Sequence, residues 1–134
     1  IYRGGYYLHL EPGASFLAAG FWAPNKDDLF RIRKEIETDH EQFDKISNGV
    51  KLIKYWGPMK GEQLKTAPKG FDKEHLGIKH LRFKQFIFTK EISDDMLFDP
   101  EFSHWVVAQF NAIRPFLNYM GEVLTTDLNG EPVL

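Results

Sequence analysis

The chain has 134 residues and a formal net charge of −2; apolar residues make up 43% and aromatics 15%, with twelve Phe among them. That length fits one domain able to bury roughly two-thirds of its unfolded surface, and so aromatic a composition excludes a disordered chain. Cysteine is absent, which excludes disulfides, thiolate nucleophiles and thiolate zinc sites. No apolar run approaches the roughly 20 residues of a membrane span, and the N-terminus lacks the layout of a signal peptide. The expectation is a soluble, cytoplasmic protein with no membrane partner. The chain begins with Ile1 rather than Met and reads as a single domain, 1–134, cut from a longer protein.

Tyr6 to Glu11 alternates, with Tyr6, Leu8 and Leu10 on one face and Tyr7, His9 and Glu11 on the other. Pro12-Gly13 supplies a turn, and the apolar run Ser15 to Ala23 returns as the second strand of a β-hairpin. Asn25 is a good N-cap, with Asp27 and Asp28 favourably placed in the first turn. Leu29, Ile32, Arg33 and Ile36 then give the narrow stripe of a surface helix. Thr38 three residues before Glu41 has the capping-box arrangement, and a short second helix anchored by Phe43 and Ile46 ends at Asn48-Gly49. Val50 to Trp56 suits either a helical turn or a short strand.

Met59 to Phe71 reads as an irregular excursion, long enough in a small domain to suggest function. Asp72 is placed to cap a helix through Leu76, Ile78 and Leu81, weakened at Gly77 by about 1 kcal/mol relative to alanine. Phe83 to Ile92 is the next strand, with Lys84, Phe86, Phe88 and Lys90 on one side and Gln85, Ile87 and Thr89 on the other. Ser93-Asp94-Asp95 caps a short turn. A long helix then carries Phe102, Val106, Phe110, Ile113, Leu117, Met120 and Leu124 on one stripe. Pro115 inside it is expected to kink or split it, and 125–134 is expected to be a weakly ordered tail. The elements make an α+β fold: a small antiparallel sheet, from the hairpin and the strand near 83–92, covered by helices near 26–47 and 101–124.

Two stretches, Gly5-Tyr6-Tyr7-Leu8-His9-Leu10-Glu11-Pro12-Gly13 and Leu64-Lys65-Thr66-Ala67-Pro68-Lys69-Gly70-Phe71-Asp72-Lys73-Glu74-His75 with Leu81-Arg82-Phe83-Lys84, resemble a conserved-hypothetical bacterial family, domain of unknown function 2461. The resemblance implies a shared fold and a candidate surface, but no catalytic role, because the family has no established activity. Family members carry an upstream signature of the form Arg-x-x-Arg-Asp-x-Arg-Phe that is missing here. The chain therefore resembles the C-terminal two-thirds of such a protein. Leu76 departs from the proline that relatives tend to have.

Charge is split along the chain: residues 51–90 carry ten Lys/Arg against three acids, and the rest carries seven against sixteen. This points to an anionic partner for the middle segment, or to packing of one part against the other. If the excursion folds back on the later strand, Lys65, Lys69, Arg82 and Lys84, with His75, can gather round a phosphate or carboxylate. The plainer reading is a wet face of solvated lysines. His9 and Glu11 share a strand face, as a carboxylate-oriented base requires, or simply as a surface pair. A metal is not expected: His75 and His80, five apart, diverge on a helix, and Asp39, His40 and Glu41 radiate apart. No cofactor is expected either.

Lys54-Tyr55-Trp56 and Arg82 to Phe88 interleave cations with aromatics as stacking platforms do, but buried aromatics explain them better than nucleic acid. The leading expectation is a domain binding a small anionic ligand at the basic loop and strand. A nucleic-acid or protein interaction module is the alternative, and an enzyme completed by an N-terminal segment a further one. Whether the chain is an enzyme, and its oligomeric state, are left open by the residues.

Overall fold

The alternating N-terminal segment forms the predicted hairpin, β1 (Gly5–His9) and β2 (Ser15–Phe21). Its turn is closed by Ala14 N–H on the Glu11 carbonyl at 2.7 Å. The structure is a computed structural model that describes residues 4–127, 129, 131 and 132. Of the tail expected at 125–134, residues 128, 130, 133 and 134 lie outside the described residues. β3 (Phe86–Ile92) pairs antiparallel with the other side of β2, giving a three-stranded sheet of order β1-β2-β3.

The register sets Leu17 opposite Lys90, Ala19 opposite Phe88 and Phe21 opposite Phe86. With a period of two, Leu17, Ala19, Phe21, Phe86 and Phe88 make one face apolar, and Lys90 at its end turns its ammonium onto the Tyr55 carbonyl. Over that face pack α1 (Lys26–Thr38), α2 (His40–Ser47), α3 (Val50–Trp56) and α6 (Phe102–Thr125), which contribute Ile32, Ile36, Phe43, Leu52, Trp56, Ile113, Phe116 and Met120 to a shared core with Leu17, Ala19, Phe21, Phe86 and Phe88. The fold is α+β, as expected. Among the described residues no helix is long and apolar enough to cross a membrane.

Local structure decides one open expectation, corrects two and bears out another. The ambiguous segment 50–56 is helical, because Leu52 and Trp56 lie one turn apart and both reach the core, where the Trp56 indole N–H donates to the Gln109 carbonyl at 2.8 Å. The cap of α2 is Asp39, whose carboxylate accepts from Gln42 N–H, and not Thr38. No helix starts at Asp72. Its carboxylate instead accepts from Glu74 N–H and its carbonyl from His75 N–H, closing a turn, and only Ile78–Leu81 is helical (α4). Ser93 does cap a short helix, α5 (Asp94–Leu97).

Pro115 does not split α6, which runs unbroken from Phe102 to Thr125. Both Pro115 and Asn111, whose carbonyl loses its partner, are exposed, so water replaces the missing donor. The inner side of α6 is Gln109, Ala112, Ile113, Phe116, Met120, Val123 and Leu124, while Phe102, Val106, Phe110 and Leu117 are only partly buried. Full burial thus begins at Gln109 and runs to Leu124, after two opening turns that are at most partly buried. Beyond α6, Arg31 of α1 donates to the Thr126 and Asp127 carbonyls, and Thr126 bridges to Pro132.

Candidate functional site

The basic excursion does fold back on the late strand. Lys60 and Ile87 exchange both backbone hydrogen bonds, Lys84 N–H donates to Glu62 O at 2.7 Å, and Leu64 N–H donates to Arg82 O at 2.7 Å. The loop so continues the sheet edge and covers it, which removes an unpaired template for aggregation. Gly61 makes this approach possible: its φ is 151°, and a Cβ there would sit 2.3 Å from the Gln85 carbonyl oxygen.

The cations of this segment go to different places. Lys84 pairs with Glu62 at 3.2 Å. Arg82 turns its Nε–H onto the Leu64 carbonyl at 2.7 Å and ties down the loop. Lys65 is exposed. His75 is held at both ring nitrogens: Nδ1 accepts from Gly77 N–H at 2.8 Å and Nε2 lies 3.0 Å from the Glu37 carbonyl. Lys69 reaches a concavity of about 330 Å3, whose other cations come from α1: Lys26 and Arg33, beside Phe30 and Phe71. Sequence reasoning missed those partners, because the contact joins residues some forty positions apart.

Arg33 anchors this concavity. Its Nε and Nη2 donate to the Leu81 and Phe83 carbonyls at 2.9 and 3.1 Å, and burial lowers its pKa from the ordinary guanidinium value. Phe71 carries Lys34 over its ring at 5.8 Å and meets Phe30 edge-on at 6.1 Å. Phe30 is 52% exposed, which leaves its ring available to a ligand. The concavity is lined by the cationic side chains of Lys26, Arg33 and Lys69, the carboxylate of Asp27 and the rings of Phe30 and Phe71.

On the outer face of the sheet, His9 and Glu11 do meet, with Nε2 and Oε1 3.3 Å apart. The His9 ring packs on Phe16 at 5.0 Å, and Tyr7 lies 5.8 Å from Phe16. By contrast Trp56, Phe83, Phe86 and Phe88, four of the five aromatics of the two cation-rich runs, are buried in the core, so their faces are closed to stacking; the fifth, Tyr55, is half-buried with Lys51 5.9 Å from its ring.

A second cluster lies beside α2. His40 Nε2 is 3.0 Å from His80 Nδ1, and with Asp44 they place three ligand-type atoms within 4.8 Å of one another. Burial lowers the pKa of His80, the charges of His40 and Lys79 lower it further, and Asp44 opposes them. His75, which the sequence analysis set against His80, is directed instead to Glu37. His40 and Asp44, four apart on α2, were legible as a pair on one helix face; His80 was not.

A family model described as conserved hypothetical protein (DUF2461) matches residues 1–119. The chain belongs to that family. The family match takes in the whole sheet, the Lys26–Arg33–Lys69 concavity and the histidine cluster. Leu76 is 93% exposed, so its side chain is not needed by the core. Comparison with curated proteins gave no match, and neither did comparison with solved structures.

Proposed function

We propose that this domain binds a small anionic ligand with a flat apolar portion, its anion at Lys26, Lys69 and Arg33 and its apolar part on Phe30. The supporting observation is that three cations and two aromatic rings, against the one carboxylate of Asp27, line one concavity of about 330 Å3. Cationic side chains supply charge-assisted hydrogen bonds to phosphate or carboxylate, and an exposed ring supplies the surface that orients the remainder. Of the basic residues predicted from sequence, Lys69 takes part directly. Arg82 and Lys84 shape the loop that carries it.

Calorimetric titration with adenosine monophosphate, inorganic phosphate and adenosine tests the reading. The nucleotide is expected to bind more tightly than either half. A charge-assisted hydrogen bond is worth about 1.5–3 kcal/mol, so Lys69→Ala should weaken nucleotide binding by about tenfold or more, and Lys65→Ala, at an exposed lysine of the same loop outside the concavity, should leave it unchanged. Absence of saturable binding by all three probes, or equal losses in the two variants, overturns it.

A second reading, an interaction module, is favoured by the open sheet face, where Tyr7, Phe16, Ala18, Trp22 and Thr89 line a concavity of about 390 Å3. A single-stranded oligonucleotide that binds there does so by stacking on the rings, and its binding should be lost in Phe16→Ala.

A further inference from the structure

We propose that His40, His80 and Asp44 form a mononuclear site for a divalent ion of the zinc type, independent of the anion site. His40 and Asp44 stand one helical turn apart on α2, so their side chains leave the same face. α4 brings His80 to that face, and the two rings meet through His40 Nε2 and His80 Nδ1 at 3.0 Å. Tetrahedral zinc with bonds of about 2.0–2.1 Å to nitrogen sets its ligand atoms about 3.3 Å apart. The imidazole pair is therefore within a few tenths of an ångström of a chelating edge. Replacing the hydrogen bond between the rings by an ion needs only a small opening of the pair.

The third ligand is close. An Asp44 carboxylate oxygen lies within 4.8 Å of a ring nitrogen of each histidine, and its side chain is exposed and so able to turn inward. The Asn48 amide donates to Asp44 Oδ1 at 2.8 Å, the kind of outer partner that orients a metal-bound carboxylate. The rings are also held in place. His80 packs on Phe43 at 5.1 Å and Phe83 at 6.1 Å, and Gly77 lets the chain run so close to His40 that a Cβ would lie 2.7 Å from its Cδ2. Two imidazoles and one carboxylate suit zinc, cobalt or nickel and disfavour magnesium and calcium, which take oxygen ligands. Three protein ligands leave one position for water or an exogenous ligand, as in catalytic rather than structural zinc sites. Lys79, next to His80, opposes a cation; the Asp44 carboxylate offsets it.

The plain alternative is a structural histidine pair, and the following experiment separates the two. Metal-stripped chain is titrated with Zn2+ by calorimetry and with Co2+ by visible absorption, and nitrogen NMR identifies the coordinating ring atoms. One equivalent is expected, bound through His40 Nε2 and His80 Nδ1, with the intense absorption of four-coordinate Co2+. Loss of a group that merely orients a ligand costs about 10–100-fold in affinity, so the ligand changes Asp44→Asn and His80→Gln should cost at least that, and His9→Gln, on the far face of the sheet, should cost nothing. Asp44→Asn is an exposed, isosteric change, and an unaltered unfolding curve without metal excludes a folding defect as the cause of lost binding. Zn2+ binding that survives Asp44→Asn and His80→Gln unchanged, or that is absent from the parent chain, overturns the proposal.

Discussion

Tyr119 places its hydroxyl 3.4 Å from the Glu35 carboxylate, half-buried between α1 and α6. Burial raises its pKa well above the ordinary phenol value; the charges of Glu35 and Asp39 and the bond to Glu35 raise it further, and Arg31 opposes them. A folded-state pKa above the unfolded one means that the native state holds the proton more tightly. The associated stability is complete below about pH 10, the unfolded value, and is lost as pH rises toward the folded value. Unfolding curves at alkaline pH should therefore show stability falling above about pH 10, and Tyr119→Phe should flatten that slope; an unchanged slope counts against the assignment. At this scale the sequence was a partial guide. It brought His9 and Glu11 to the same side from periodicity alone, and their side chains do meet, although β1 ends at His9 and Glu11 lies beyond it. It could not show that Arg82 spends its Nε–H on a backbone carbonyl, since that depends on which carbonyl the fold brings near.

Among the elements, the excursion 59–71 depends most on a single residue. Its pairing with residues 82–87 requires Gly61 at φ 151° against the Gln85 carbonyl. Alanine there meets both a disfavoured backbone conformation and a contact far inside van der Waals distance. Gly61→Ala should destabilise the chain by more than the ~1 kcal/mol of an ordinary glycine substitution, and should release the Leu64 and Lys84 amides to hydrogen exchange while the β2 amides stay protected. Retained protection at those two amides would show that the loop is held by other contacts. Elements with strong periodicity, the hairpin, α1, β3 and α6, were legible in advance. The segment 72–77 was not, because the Asp72 carboxylate that suits a helix cap equally closes the turn that replaced the helix.

For the whole molecule, one helical layer against one sheet face gives a core in which large aromatics meet at definite angles. Phe88 is fully buried at its centre, 5.1 Å from Phe116 with the rings at 70°. Its loss removes both transfer energy and packing, so Phe88→Ala should cost about 3–5 kcal/mol, a large part of the roughly 5–15 kcal/mol that holds a domain together. Urea unfolding measures this directly, and a loss under 1 kcal/mol would mean that the core is not centred there. The opposite sheet face stays open, with Tyr7 and Phe16 at its surface, and the two proposed sites lie on the helical side, one at the start of α1 and one between α2 and α4.

What the sequence settled by itself was whatever depends on neighbours along the chain: strand alternation, helix stripes, the cap at Asn25, and the α+β class that follows from their order. The tertiary structure alone decided which distant side chains meet, bringing Lys69 to Lys26 and Arg33 across some forty residues and His80 to His40 across forty. Local propensity is fixed within a few residues of backbone, whereas a binding constellation is fixed by the packing angles of whole helices, which no single segment encodes.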